Sequence, residues 1–124
     1  MVQATRTYLT LYLTGGYLLL IIYASLYPLA AWHDSGGDAL AFLGAAWPRY
    51  YTGFDLATNV IAYLPFGFFC TAALRRRLAP FSAWLVAVLL GASLSFVMEL
   101  LQNYLPDRVP SNLDLVCNTA DALL

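Results

Sequence analysis

LAPFSAWLVAVLLGASLSFVM, residues 78–98, carries no charge between Arg77 and Glu99. Its apolar character runs on past Glu99 to Leu105. The stretch therefore exceeds the ~20 helical residues that cross a hydrocarbon core of ~30 Å. Within it Ala83, Ala87, Gly91 and Ser95 recur at every fourth position, and Glu99 is the next step. Small residues at this spacing let helix backbones approach closely inside a membrane. The ladder marks the packed face, so it aims Glu99 into the bundle, where an ionisable side chain is a functional candidate by default. Gln102, three residues on, lies on nearly the same face.

Two further stretches have the same character. Between Arg6 and His33 the chain is apolar over residues 8–29, and between Asp55 and Arg75 over residues 56–74. With residues 81–104 they make three full spans. A fourth apolar segment, residues 113–124, gives only ~18 Å of helix at 1.5 Å per residue, too short to cross alone. It is truncated, or reaches part-way, or a partner completes the bundle. The expected fold is all-α and integral to the membrane, one domain over residues 1–124 with three transmembrane helices and a short fourth. A 61% share of hydrophobic residues, 10% charged residues and a mean hydropathy of +0.69 set the chain outside the soluble globular class. The first span is longer than the ~7–15 residues of a secretory signal core and rich in tyrosine, which favours a retained anchor.

Charge placement orients the bundle. Arg75-Arg76-Arg77 is the one dense positive cluster, and there is no lysine. The positive-inside rule assigns the loop between spans two and three to the cytoplasm, and Arg6 with it. The 30–54 and 105–112 loops then face outward. There Trp32, Trp47, Tyr50, Tyr51 and Tyr104 form an aromatic belt. Asp55, Glu99, Arg108 and Asp114 converge on that same side, as the rim of a polar pocket. His33, Asp34 and Asp38 fall in a glycine-containing loop and are expected in water.

The five-residue pattern Asp-Leu-x-x-Asn occurs twice, as Asp55–Asn59 and Asp114–Asn118, each preceded at three residues by a hydroxyl, Thr52 and Ser111. Both copies fit a capping box, in which hydroxyl and acid each accept the other's backbone N–H. Capping alone accounts for the aspartates, whose charge also meets the positive end of the helix dipole. Asn59 and Asn118 lie one turn deeper, where an amide facing lipid would be costly, so both should face the interior. For the Asp–Asn pairs, packing and ligand binding remain equal alternatives. Glu99 either snorkels outward to Arg108 or forms an interior pair, and Arg108 suits both.

Other features are less informative. Pro65 removes a donor to the Ile61 carbonyl and should kink span two. Gly15-Gly16 offers close packing or flexibility. Cys70 and Cys117 differ in depth by roughly 18 Å, beyond the ~7 Å between Cα atoms that a disulfide allows, so none is expected. A net charge of −1 leaves no footprint for nucleic acid. A lone His33 rules out the usual zinc ligand set, and no cofactor motif or activated nucleophile stands out. Asp55, Glu99 and Asp114 have the chemistry to hold a hard cation or to share acid–base work, if they converge.

Asp55-x-x-x-Asn59, Pro65-Phe66-Gly67-Phe68, Ser95-x-x-x-Glu99-x-x-Gln102, Arg108 and Asp114-x-x-x-Asn118-Thr119 together resemble the VanZ-like family over about residues 54–120. The resemblance implies a several-helix protein of the bacterial plasma membrane, with its N-terminus cytoplasmic by the charge rule above. The family's namesake confers low-level resistance to teicoplanin, a lipidated glycopeptide acting outside the membrane. By the resemblance, Asp55, Asn59, Glu99, Gln102, Arg108, Asp114 and Asn118 are the candidate ligand-binding residues. Ala120-Asp121-Ala122-Leu123-Leu124 departs from the pattern, since the family usually has glycines there and a further helical stretch. The expected function is binding of an envelope lipid or lipoglycopeptide at the outward pocket. The rivals are a structural accessory subunit docked on partner membrane subunits and, ranked last, an enzyme acting on a lipid-linked substrate.

Overall fold

The computed structural model describes residues 2–49 and 52–124, with no side-chain description for residues 2–4, 6 and 7. Tyr50 and Tyr51 of the expected aromatic belt, and the Arg6 side chain, thus lie outside the described residues. Among the described residues four α-helices form the fold: α1 Val2–Leu26, α2 Gly53–Leu74, α3 Pro80–Gln102 and α4 Asn112–Leu123. A short 3-10 helix, Ala41–Gly44, interrupts the long loop between α1 and α2. Among the described residues there is no strand. Three helical segments, Tyr8–Leu26, Gly53–Leu74 and Pro80–Gln102, are long and apolar enough to span a bilayer. The chain is a membrane protein of the all-helical class.

Helix boundaries follow backbone chemistry more closely than hydropathy. Helix α1 ends at Leu26, short of the expected residue 29, because Pro28 has no N–H to continue the ladder. Helix α2 starts at Gly53, three residues before the apolar run, because Thr52 closes a capping box with Asp55. Helix α3 opens on Pro80, whose fixed φ suits the first helical turn. Pro65 is accommodated inside α2, which continues as one helix through Leu74.

The bundle is apolar outside as well as inside. Tyr12, Phe54, Phe68 and Phe81 are each about two-thirds or more exposed, as lipid-facing side chains are. The core joins Ile21 and Leu26 of α1 to Tyr63, Phe66 and Cys70 of α2 and to Ala87 and Met98 of α3. Every member of the α3 ladder, Ala83, Ala87, Gly91, Ser95 and Glu99, is buried.

That ladder receives α4. A Cβ on Gly91 would stand 2.8 Å from the Ala122 Cβ, and one on Gly67 would stand 3.1 Å from the Ala122 carbonyl oxygen. Two glycines, one on α2 and one on α3, thus admit Ala122 between them. The Trp84 indole N–H donates to the Leu123 carbonyl at 3.1 Å and ties down the end of α4. Gly15 and Gly16 have open space around their Cα atoms, so they make no close helix contact. Cys70 and Cys117 are both free.

The long loop is pinned to the end of the bundle opposite Arg75–Arg77. Asn103 Nδ2 donates to the Ala39 carbonyl at 2.9 Å, and Asn112 Nδ2 to the Ala45 carbonyl at 2.6 Å. The His33 N–H donates to the Tyr104 carbonyl at 3.0 Å. Phe42 is buried, its ring 6.3 Å from that of Phe96. Trp32, Trp47 and Tyr104 are exposed at this end, as are His33, Asp34 and Asp38.

Candidate functional site

The two Asp-Leu-x-x-Asn copies are used differently. In α2, Asp55 Oδ2 accepts from the Thr52 N–H at 3.1 Å and from its hydroxyl at 2.6 Å, while Thr52 Oγ1 accepts from the Asp55 N–H at 3.2 Å. That box is closed. In α4, Ser111 Oγ accepts from the Asp114 N–H at 3.3 Å, but the aspartate does not reach back. The expected second box is corrected to half a box. Its missing half is supplied from another helix: Glu99 Oε2 accepts from the Ser111 N–H at 2.7 Å.

This substitution has a consequence for Asp114. With its own N-cap donor taken by Glu99, its carboxylate Oδ1 accepts from Asn59 Nδ2 at 3.1 Å. One residue from each copy of the repeat therefore meets across the α2–α4 interface. Asn118 Nδ2 donates to Ser95 Oγ at 2.9 Å, joining α4 to the ladder of α3. The Tyr63 hydroxyl hydrogen-bonds the same Ser95. Among the described residues Asn118 Oδ1 and Asp121 Oδ2 are buried without a hydrogen-bond partner.

Arg108 and Gln102 serve the end of α1. Arg108 Nε donates to the Tyr27 carbonyl at 3.3 Å and Nη2 to the Ala24 carbonyl at 3.0 Å. Gln102 Nε2 donates to the Ser25 carbonyl at 3.0 Å. The Ala24 and Ser25 carbonyls lie in the last turn of α1 and have no intrahelical donor, the Tyr27 carbonyl lies just beyond it, and a cation there also meets the negative end of the dipole. Among the described residues Glu99 and Arg108 form no ion pair. The expected pairing fails because Glu99, only 3% exposed, caps α4 while Arg108 caps α1.

A cleft of about 660 Å³ opens among these groups. Asp55, Asn59, Glu99, Gln102, Arg108, Asp114 and Asn118 all line it, with Ser25, Thr58, Tyr63 and Ser111 as further polar neighbours. Ile21, Phe54, Ala62 and Met98 supply an apolar share of the wall. Among the described residues no three His, Cys, Asp or Glu side chains are placed to hold a metal ion. The three carboxylates Asp55, Glu99 and Asp114 are thus not gathered into a cation cage.

Tyr63, not among the expected site residues, continues the Asp55, Asn59 spacing by one more turn and lines the cleft. Ser95 stands in the small-residue ladder and in the family motif but not among the expected site residues, whereas its hydroxyl anchors Asn118. The backbone N–H of Ser111 and the carbonyls of α1 carry no sequence signal at all, because every residue but proline has both groups.

An all-helical membrane bundle with a polar cleft at one end defines a small multi-span membrane protein built around buried polar groups. The model of the VanZ/LLP1 family matches residues 10–124, nearly the whole sequence, including the first span and the Ala120–Leu124 segment. The chain belongs to that family. No curated protein and no solved structure matches it.

Proposed function

We propose that this VanZ/LLP1 protein binds the polar head of an amphiphilic envelope ligand in its cleft, without catalysing a reaction on it. The reading is supported by one observation above others: polar side chains from α2, α3, the 103–111 loop and α4 line the same cleft, at one end of an otherwise apolar bundle. Intramembrane polar groups are costly, and those that face a cavity mark ligand pathways. The apolar share of the wall suits an acyl portion, and the exposed Trp32, Trp47 and Tyr104 suit an interfacial rim. The positive-inside rule puts the cleft on the outer face of a bacterial plasma membrane, with Arg75–Arg77 and the N-terminus in the cytoplasm. Resistance to a lipoglycopeptide would then follow from engagement of the drug or of the lipid it acts beside.

The test is susceptibility to teicoplanin in a host expressing the unaltered chain, Glu99→Gln or Arg108→Ala at equal membrane levels. The expected outcome is protection by the unaltered chain and its loss in both variants. Undiminished protection in the variants removes the cleft from the function.

A structural accessory subunit is the second reading, favoured by α1, where Gly15 and Gly16 present open notches on the helix with the least buried span. Stoichiometric co-elution with larger membrane subunits in a mild detergent supports it. Elution as a free monomer goes against it.

A further inference from the structure

The charged groups that line the cleft are mostly carboxylates, which only accept hydrogen bonds when ionised. Among the described residues Asp55, Glu99, Asp107 and Asp114 are all part of the wall, against a single basic lining residue, Arg108. Arg108 directs Nε and Nη2 at the Tyr27 and Ala24 carbonyls. A phosphate would therefore have to draw the guanidinium away from the end of α1 and sit among four carboxylates.

An independent feature asks for the same kind of partner. Asn118 lines the cleft, is only 4% exposed, and its Oδ1 has no hydrogen-bond donor among the described residues. A buried acceptor left alone is unfavourable, so the site gains from any occupant that brings an N–H. An ammonium offers three donors and no acceptor, whereas a phosphate monoester at neutral pH brings mainly acceptors and negative charge. The apolar part of the wall, with Phe54 and Met98, fits an alkyl chain attached to that head.

We infer that the cleft takes a primary ammonium group carried on an amphiphile, in preference to a phosphate. This rests on the proposed reading that the cleft holds a ligand headgroup, and adds the charge of that headgroup. Asp114 and Glu99 are the carboxylates that supply the counter-charge, and Asn118 Oδ1 accepts from the ammonium at the floor. Recognition comes from charge-assisted hydrogen bonds in a partly desolvated place, where they are stronger than in water.

The experiment uses the full chain in dodecyl maltoside micelles, with thermal unfolding followed by tryptophan fluorescence. The probes are dodecylamine, dodecanol, dodecyl phosphate and ethanolamine. Dodecylamine is expected to raise the midpoint saturably, with an apparent affinity at least about tenfold above those of dodecanol and dodecyl phosphate. Ethanolamine, the water-soluble arm, should bind more weakly than dodecylamine, and equal affinity would reject the amphiphile. Asp114→Asn and Glu99→Gln should each weaken dodecylamine about tenfold while leaving dodecanol unchanged. If Glu99→Gln does not fold, Asp114→Asn and the amine-to-phosphate preference of the unaltered chain decide the matter. Tighter binding of dodecyl phosphate, lost in Arg108→Ala, would overturn the ammonium assignment and leave a ligand cleft standing. Dodecylamine binding indifferent to both carboxylate variants would reduce the effect to micelle partitioning and overturn it too. Saturable binding of none of the probes would remove the ligand cleft itself.

Discussion

At the scale of single residues, the determining contact is Glu99 on the Ser111 N–H. A carboxylate near the end of α3 takes over a capping duty that Asp114 of α4 would otherwise perform. Glu99→Ala leaves a half-buried N–H without a partner, and should cost about 1–3 kcal/mol. Thr52→Ala breaks a box that is exposed and purely local, and should cost about 0.5–2 kcal/mol. Denaturant titration in micelles reads both, and only Glu99→Ala is expected to disturb the Asn59–Asp114 contact. Asp121 behaves in the opposite sense. Its Oδ2 is buried without a donor, so Asp121→Ala removes an unfavourable group and should raise stability by about 1–3 kcal/mol. A fall in stability would mean that a donor reaches Oδ2 in the membrane.

At the scale of the helices, the arrangement rests on how closely α4 approaches its neighbours. Gly91 and Gly67 both face Ala122, but they face different atoms of it. Gly91→Ala meets only the Ala122 Cβ, whereas Gly67→Ala meets its backbone. Each single change should destabilise by about 1–3 kcal/mol through overpacking. Ala122→Gly should rescue Gly91→Ala and leave Gly67→Ala unrescued, since a glycine keeps the carbonyl and Cα. A double-mutant cycle measures that coupling directly. Gly16→Ala is the control: it enters open space, and alanine's better helix propensity should make it neutral or stabilising by up to about 1 kcal/mol.

At the scale of the whole molecule, the alternation of helices puts four ends on one side: the last turns of α1 and α3 and the first turns of α2 and α4. Helix ends carry unpaired backbone groups, so polar side chains collect where the ends collect. Arg108 and Gln102 finish α1, Thr52 and Asp55 open α2, and Glu99 with Ser111 opens α4. The cleft is the space these caps enclose. By the proposed reading, Arg75–Arg77 assign it to the outer side of the membrane. In intact cells, Ser35→Cys should react with a membrane-impermeant maleimide, and Arg76→Cys should react only after permeabilisation. The reverse pattern would put the cleft on the cytoplasmic face and end its candidacy as a receptor for an envelope ligand.

Much of the fold is legible in the sequence alone. Charge-free length determined the three spans, because water and lipid impose it on any helix that crosses. The four-residue ladder in α3 determined which face is packed, and so that Glu99 turns inward, because that spacing is local to one helix. The resemblance carried by Asp55–Asn59, Ser95–Gln102 and Asp114–Asn118 determined the family. Tertiary structure alone decided the partners. Glu99 met a backbone amide rather than Arg108, Arg108 met the carbonyls of α1, and Asp114 exchanged its own cap for Asn59. Those choices join residues 12 to 84 positions apart and often end on backbone atoms, which every sequence contains and none distinguishes.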